Sequence, residues 1–426
     1  VSASRALVVT GGGGLALLVG LILLAVATNE TTGAALFAAE GFELSTILNV
    51  SLADHPWYIA ITALLMFGAF TKSAQWPFHF WLPGAMTAPS PASAFLHSAT
   101  MVKAGVYLMF RMYPTLGNTE FWQGALLFFG LTTMFVGALF SLRQRDLKGL
   151  LAYTTVSKLG MMMALIGLPN YEGLKAAAVG ILAHAMYKGT LFLMTGTIEH
   201  STGTRNLDQL GGLRKLMPGA FIITAVVGIS MAGYPPLLGF VSKETLLDAM
   251  LYEGLGIIPI FVAVVSSLMM VLAAGLYVVD VFISKPDTEY HHFHAPHPVL
   301  QFGPALLAFM SLFTALLLEQ TIVPLIEPVI PKEFKLHLFP EEFIPAAQLS
   351  VAILIGGPLL FFARRFWLNM PWFGFIPNGQ KIYAWLIGAV NFAGDQLLRS
   401  QGGKLRYYLI VILGTVSVFM AIGGFR

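Results

Sequence analysis

Seven basic side chains interrupt stretches of this sequence that are otherwise apolar, and their types suit one chemistry, the stepwise exchange of protons. Lys72 closes the run LLMFGAFTK, His97 and Lys103 stand in FLHSATMVKAGVYL, Lys158 in AYTTVSKLGMM, His184 and Lys188 in AHAMYKGTLFL, and Lys243 in GFVSKETLL. A charge at the middle of a membrane span costs about 2.5–3.5 kcal/mol even on the lenient insertion scale, so each is a functional candidate by default. Ammonium groups taken out of water lose their proton more readily and imidazoles titrate near pH 6.5, so both types trade protons at working pH. His184 and Lys188 are four apart and therefore share a helix face. The seven are spread through successive spans, which predicts a chain of proton-exchanging sites running parallel to the membrane.

Each residue also has a plainer reading. Lys72 and Lys243 lie beside proline-rich breaks and could staple freed carbonyls, Lys103 and Lys158 could snorkel to an interface, and His97 could be a hydrogen-bonded core histidine. His184, with Lys188 one turn away, is harder to dismiss. Carboxylates are scarce: none lies inside the first six expected spans, and the nearest are Glu199 and Glu244. Lys72 thus lacks a visible partner.

The elements that must hold these residues are membrane helices. The chain is 57% hydrophobic and 11% charged, against roughly 45–50% and about 25% in soluble domains. Runs long enough to cross a hydrocarbon core of about 30 Å recur along it. We place spans at 6–27, 57–75, 92–112, 121–141, 149–168, 174–198, 219–250 (interrupted), 256–284, 302–325, 347–363 and 406–424, an all-α polytopic protein of about eleven transmembrane helices. Two are broken: Lys72 precedes Trp76-Pro77, and Gly233 with Pro235-Pro236 precedes Lys243. Proline removes an internal hydrogen bond, tolerated at depth only where protein or a water cavity satisfies the freed backbone. Paired Gly/Pro-interrupted segments point to the transport site of a repeat-built transporter. Between the last two spans, 378–400 carries Ile382, Trp385, Leu386, Ala389, Phe392 and Leu397 at helical spacing, with Lys381, Asn391, Asp395 and Arg399 elsewhere. That pattern is an amphipathic helix along the membrane surface or a neighbour.

Lys and Arg set the orientation. Alternate loops on one side hold Arg5, Arg143, Arg145 and Lys148, then Arg205, Arg214, Lys215, Lys285, Arg364 and Arg365, which places that side in the cytoplasm; the acidic loop with Glu30, Glu40, Glu43 and Asp54 faces outward. A net charge of +3 gives no reason to expect nucleic acid, and the absence of cysteine excludes disulfides, thiolate metal sites and cysteine-ligated iron–sulfur clusters within these residues. Gly11 to Gly14 lack the GK[ST] ending of a phosphate loop and fit close helix packing instead. The cluster His291, His292, His294 and His297 is a transition-metal composition, but beside Pro296 and Pro298 it reads as an exposed loop, and no metal site is expected. The chain starts at Val1 without a visible signal peptide and ends in or just after a span, which suggests a segment of a longer polypeptide.

FTKSAQWPFHFWLPGAMTAPSPASAFLHSATMVKAGVYL resembles the antiporter-like subunits shared by respiratory complex I and Mrp-type cation/proton antiporters, and the likeness continues through DLKGLLAYTTVSKLG, HAMYKGTLFLMTG and PPLLGFVSKE. LHSATMVKAG and GTIEHSTGTRNLDQLGGL are more similar to the large A subunit of Mrp Na+/H+ antiporters than to the most distal large subunit of complex I. The resemblance implies inverted five-helix repeats, each with a broken helix bearing a key lysine, and a lateral helix. It divides the chain into the end of a first repeat (1–113), a second repeat (114–284), additional helices (285–375), the lateral helix (376–403) and a final span (404–426). Lys72 and Lys243 match the two broken-helix lysines, His184 and Lys188 the central residues, and His97 and Lys103 the link from the first half; Lys158 matches less firmly. Lys72 would normally pair with a glutamate two helices earlier, which would precede Val1. The resemblance implies a secondary transporter subunit in the plasma membrane, without a cofactor, exchanging Na+ for H+ in a hetero-oligomer with other membrane subunits. A redox-driven proton-pumping subunit of complex I is the alternative, and a purely structural membrane subunit a third reading.

Overall fold

The computed structural model describes residues 2–252, 255–285, 290, 293–330, 334–339, 344–367, 384–385, 387–389, 391–392, 394–396 and 414. Twelve longer helices organise them: α1 Ser2–Thr32, α2 Tyr58–Lys72, α3 Ser90–Ser98, α4 Met101–Leu116, α5 Glu120–Ser141, α6 Leu147–Ile166, α7 Tyr171–Thr202, α8 Pro218–Ala232, α9 Leu238–Tyr252, α10 Ile257–Gly275, α11 Pro298–Leu316 and α12 Pro345–Phe362. Seven of the helices are long and apolar enough to cross a membrane, and Tyr58–Lys72 and Pro218–Ala232 are shorter apolar ones. Among the described residues there is no strand, only an isolated bridge between Asp146 and Asn206. The expected all-α polytopic architecture is therefore present, with ten of the eleven expected spans on these helices; 406–424 lies outside the described residues apart from Gly414.

Local chemistry sets the boundaries. Thr119, Asp146 and Asn170 cap α5, α6 and α7 by accepting from the backbone N–H of Trp122, Gly149 and Gly173. Gly203 (φ +73°) and Gly233 (φ +76°) end α7 and α8 in the left-handed conformation that favours glycine. Past Gly233 comes Pro235-Pro236, so the expected break in span 219–250 lies between α8 and α9. The peptide bonds Trp76–Pro77 and Pro235–Pro236 are cis.

One expectation needs correction. His97 and Lys103 do not share one helix: Ser98 Oγ and Thr100 Oγ1 take the carbonyls of Ala94 and Phe95 at 2.5 and 2.9 Å, and the chain restarts as α4 at Met101. The two broken spans are as expected, with Lys72 the last residue of the helix before its break and Lys243 inside the helix after its break.

Two compact units make up the chain, Val1–Arg365 and Phe366–Arg426. Within the first, every residue of α6 is buried, and α7 packs against α3, α6, α8, α9 and α11. At 32 residues and about 1.5 Å each, α7 is the long central post. In the second unit the described residues between 384 and 396 are helical, and Trp385 and Phe392 are exposed; the rest of the expected lateral helix lies outside the described residues.

The glycine run packs α1 on α2. A Cβ on Gly13 would fall 1.8 Å from Thr71 Oγ1, and one on Gly68 would fall 2.6 Å from Leu17 Cβ. Gly13→Leu is therefore expected to force the two helices apart at a cost of about 1–3 kcal/mol, read as a lower thermal midpoint of the detergent-purified protein; Gly12→Leu, with nothing within 4 Å, serves as the neutral control.

Candidate functional site

The central helices collect six of the seven candidates. Lys188 on α7 is fully buried, and its Nζ donates to Leu151 O at 3.1 Å and to Thr154 Oγ1, both on α6, with Met231 Sδ of α8 at 3.8 Å. One turn earlier on α7, His184 is also fully buried and lies within electrostatic reach of Lys103, Lys158, Lys188 and His97. Lys103 crosses from α4 to donate to Ile181 O on α7 at 2.8 Å. Lys158, one turn beyond Thr154 on α6, points its Nζ at Met161 Sδ at 3.5 Å and is within electrostatic reach of both Lys188 and Lys243. His97 lies against the Phe192 ring at 4.6 Å and near Lys188.

These placements decide among the plainer readings. Lys103 and Lys158 are buried, so neither snorkels. His97 is buried but not hydrogen-bonded: both of its ring nitrogens, like those of His184, lack a partner among the described residues. A neutral imidazole carries one N–H and one lone pair, and neither is committed to a side chain or backbone group among the described residues.

Lys243 is set differently. Its buried Nζ has no hydrogen-bond partner among the described residues and lies 5.1 Å from the Phe240 ring centroid. Glu244 is in electrostatic reach. The lysine stem packs on the helix break, where a Cβ on Gly233 would come within 3.0 Å of Lys243 Cδ. Lys243 therefore staples no carbonyl among the described residues. Met231, which touches Lys188, is two residues before Gly233, so the break connects the two lysines.

Lys72 stands apart from the six. It is half-buried, with no hydrogen bond or ion pair among the described residues. Its neighbour Ser73 accepts from Val106 N of α4 at 3.1 Å, where Gly105 allows the approach because a Cβ there would lie 2.2 Å from Ala69 O. Lys103 is one turn before Val106, so α4 joins the end of α2 to the central group.

Several participants were not singled out from the sequence. Thr154 holds Lys188, and its signal was its place one turn before Lys158 in AYTTVSK. His79, inside the quoted QWPFHFWLP, is buried beside the Phe140 and Tyr153 rings. Lys148, assigned to a basic loop, is instead buried in the first turn of α6 and paired with Glu199 at 3.2 Å. Of the histidine cluster, His294 donates its backbone N–H to Ser201 O, the His297 ring accepts from Val299 N, and His291 and His292 lie outside the described residues.

Comparison with known proteins follows the same lines. Residues 1–273 match the family model described as NADH:quinone oxidoreductase/Mrp antiporter, TM. The chain is 37% identical over 403 residues to Na(+)/H(+) antiporter subunit A1 of Staphylococcus epidermidis (strain ATCC 35984), covering 86% of this chain and 49% of that protein. It is 36% identical over 401 residues to the subunit of the same name from Staphylococcus aureus (strain JH9), with the same coverage. In fold it is similar to a chain of the Mrp complex from Dietzia sp. DQ12-45-1b, with a TM-score of 0.73 and 31% identity, covering 99% of this chain and 46% of that one. The chain spans about half the length of the curated relatives it matches. A helical membrane bundle with buried lysines and histidines around a broken helix, matched over residues 1–273, belongs to the NADH:quinone oxidoreductase/Mrp antiporter transmembrane family.

Proposed function

We propose that this chain is part of a subunit of a multisubunit monovalent cation/proton antiporter, moving protons through Lys72, His97, Lys103, Lys158, His184, Lys188 and Lys243 in exchange for Na+. One observation carries the reading: His184 sits within electrostatic reach of four other basic groups, with both ring nitrogens uncommitted. Five such groups clustered in a low-dielectric interior with no carboxylate among them cannot all be charged. Each added proton changes the affinity of the next site, and that is the coupling a proton path needs.

Residues 1–113 are the end of a first repeat and 114–284 a second repeat, with Lys72 and Lys243 at their corresponding broken helices. Lys72 exchanges its proton with a carboxylate contributed from elsewhere in the assembly, consistent with its having no ion pair among the described residues. The loops carrying Arg143, Arg145, Arg205, Arg214 and Lys215 face the cytoplasm, and the protein resides in the plasma membrane with other antiporter subunits around it. No cofactor takes part. The second reading, a proton-pumping module of a redox-driven NADH:quinone oxidoreductase, is kept open by the matched family's own description.

The experiment uses membrane vesicles from a strain lacking its own antiporters and expressing the whole complex, with respiration blocked and a pH gradient imposed. Adding NaCl is expected to collapse the gradient, and Lys72→Ala to remove that response. No sodium response, with proton pumping only during NADH oxidation, moves the chain to the second reading.

A further inference from the structure

Where α6 begins and α7 ends, four charged side chains close on one another. Lys148 Nζ lies 3.2 Å from Glu199 Oε2 and donates to Ala88 O at 3.1 Å. Arg205 reaches Glu199 Oε1 at 3.3 Å and also pairs with Asp146. The formal charges cancel, but their depths differ: the Lys148 side chain is 3% exposed, against 37% for Glu199 and 29% for Arg205.

From Lys148, α6 runs inward to the level of Lys188. Leu151 and Thr154 follow by one and two turns, about 4.5 and 9 Å of rise, and their carbonyl and hydroxyl are the groups that accept from the Lys188 amino group. Lys158 follows one turn later. On α7, Thr195 lies one turn inside Glu199 and bonds Leu191 O at 2.9 Å and Tyr277 Oη at 2.7 Å. Tyr277 belongs to the π-helical turn Leu276–Asp280 that extends α10, and such turns concentrate at functional sites.

A clamp holding two helix ends together accounts for the ion pairs but not for this placement. Buried ion pairs contribute no more stability than well-packed apolar side chains do, and the deepest member of this group stands one turn before Leu151, whose carbonyl accepts from Lys188. We propose that Lys148 and Glu199 form the port through which protons from the basic-loop side reach Lys188. The Lys148 ammonium gives one proton, through water and the Thr154 hydroxyl, to a neutral Lys188 amine. The neutral Lys148 amine is recharged from bulk water through the Glu199 carboxyl, which returns to carboxylate.

The port rests on the proton-path part of the proposed function, and its test separates the two. Vesicles carry the whole complex as wild type, as the charge-neutral double variant Lys148→Met/Glu199→Gln, as Glu199→Asp, or as Thr154→Val, which leaves the ion quartet in place. Two fluxes are read: sodium-triggered proton movement, and sodium-free proton flux under an imposed membrane potential. The double variant, assembled normally on a native gel, is expected to lose at least tenfold in both, Glu199→Asp to keep most of both, and Thr154→Val to lose severalfold. Wild-type fluxes in the double variant overturn the port, as do unchanged fluxes in Thr154→Val whether or not the double variant assembles. A wild type without sodium exchange, whose sodium-free flux still falls in these variants, overturns antiport alone and keeps the port. A wild type without either flux overturns both.

Discussion

Lys188→Met is expected to reduce sodium-triggered proton exchange by at least tenfold and to destabilise the protein at the same time. The Lys188 amino group donates to Leu151 O and Thr154 Oγ1, so the substitution removes two hydrogen bonds at the centre of the bundle. It leaves the Thr154 hydroxyl with its bonds to Leu150 O and Leu151 O, and the loss of stability is then about 1–3 kcal/mol. A tenfold loss of rate corresponds to about 1.4 kcal/mol on the barrier, and a larger effect follows if no proton can bypass α7. Exchange is measured in vesicles and stability as the thermal midpoint of the purified complex. A variant that exchanges at the wild-type rate removes Lys188 from the path.

Lys243→Met is expected to give the same loss of exchange with the opposite sign in stability. Lys243 Nζ is buried without a hydrogen-bond partner among the described residues. Its only compensation there is the face of Phe240 at 5.1 Å and the field of Glu244. Replacing a poorly satisfied buried cation with an apolar chain of similar length relieves about 1–3 kcal/mol of desolvation, so the midpoint should rise or hold while transport is lost. The contrast between the two lysines is the informative measurement. A midpoint that falls as far for Lys243→Met as for Lys188→Met would mean that Lys243 supports the helix break, as in the plainer reading of its position.

Most of the bundle was legible in the sequence because a membrane helix declares itself locally. Every backbone group must be bonded within the helix and the lipid-facing surface must be apolar, so length and hydropathy suffice. The break at Gly233 and Pro235-Pro236 was legible for the same reason, since proline lacks an N–H and glycine admits positive φ. The break between Ser98 and Met101 carries no such mark. It depends on Ser98 and Thr100 turning their hydroxyls onto backbone carbonyls, an arrangement those residues adopt or avoid according to context.

The sequence by itself determined that this chain lives in a membrane, where most of its spans fall, and which basic residues stand inside them, because placing a charge in hydrocarbon is costly enough to make each one conspicuous. Only the tertiary structure decided which of them meet. Lys103 reaches α7 at Ile181, Lys188 reaches α6 at Leu151 and Thr154, and Lys148 turns from a loop charge into a buried partner of Glu199. Those pairings join residues 34 to 78 positions apart, and no local periodicity encodes them. They follow from the packing of α4, α6 and α7, in which side chains several angstroms long can reach any of several neighbours.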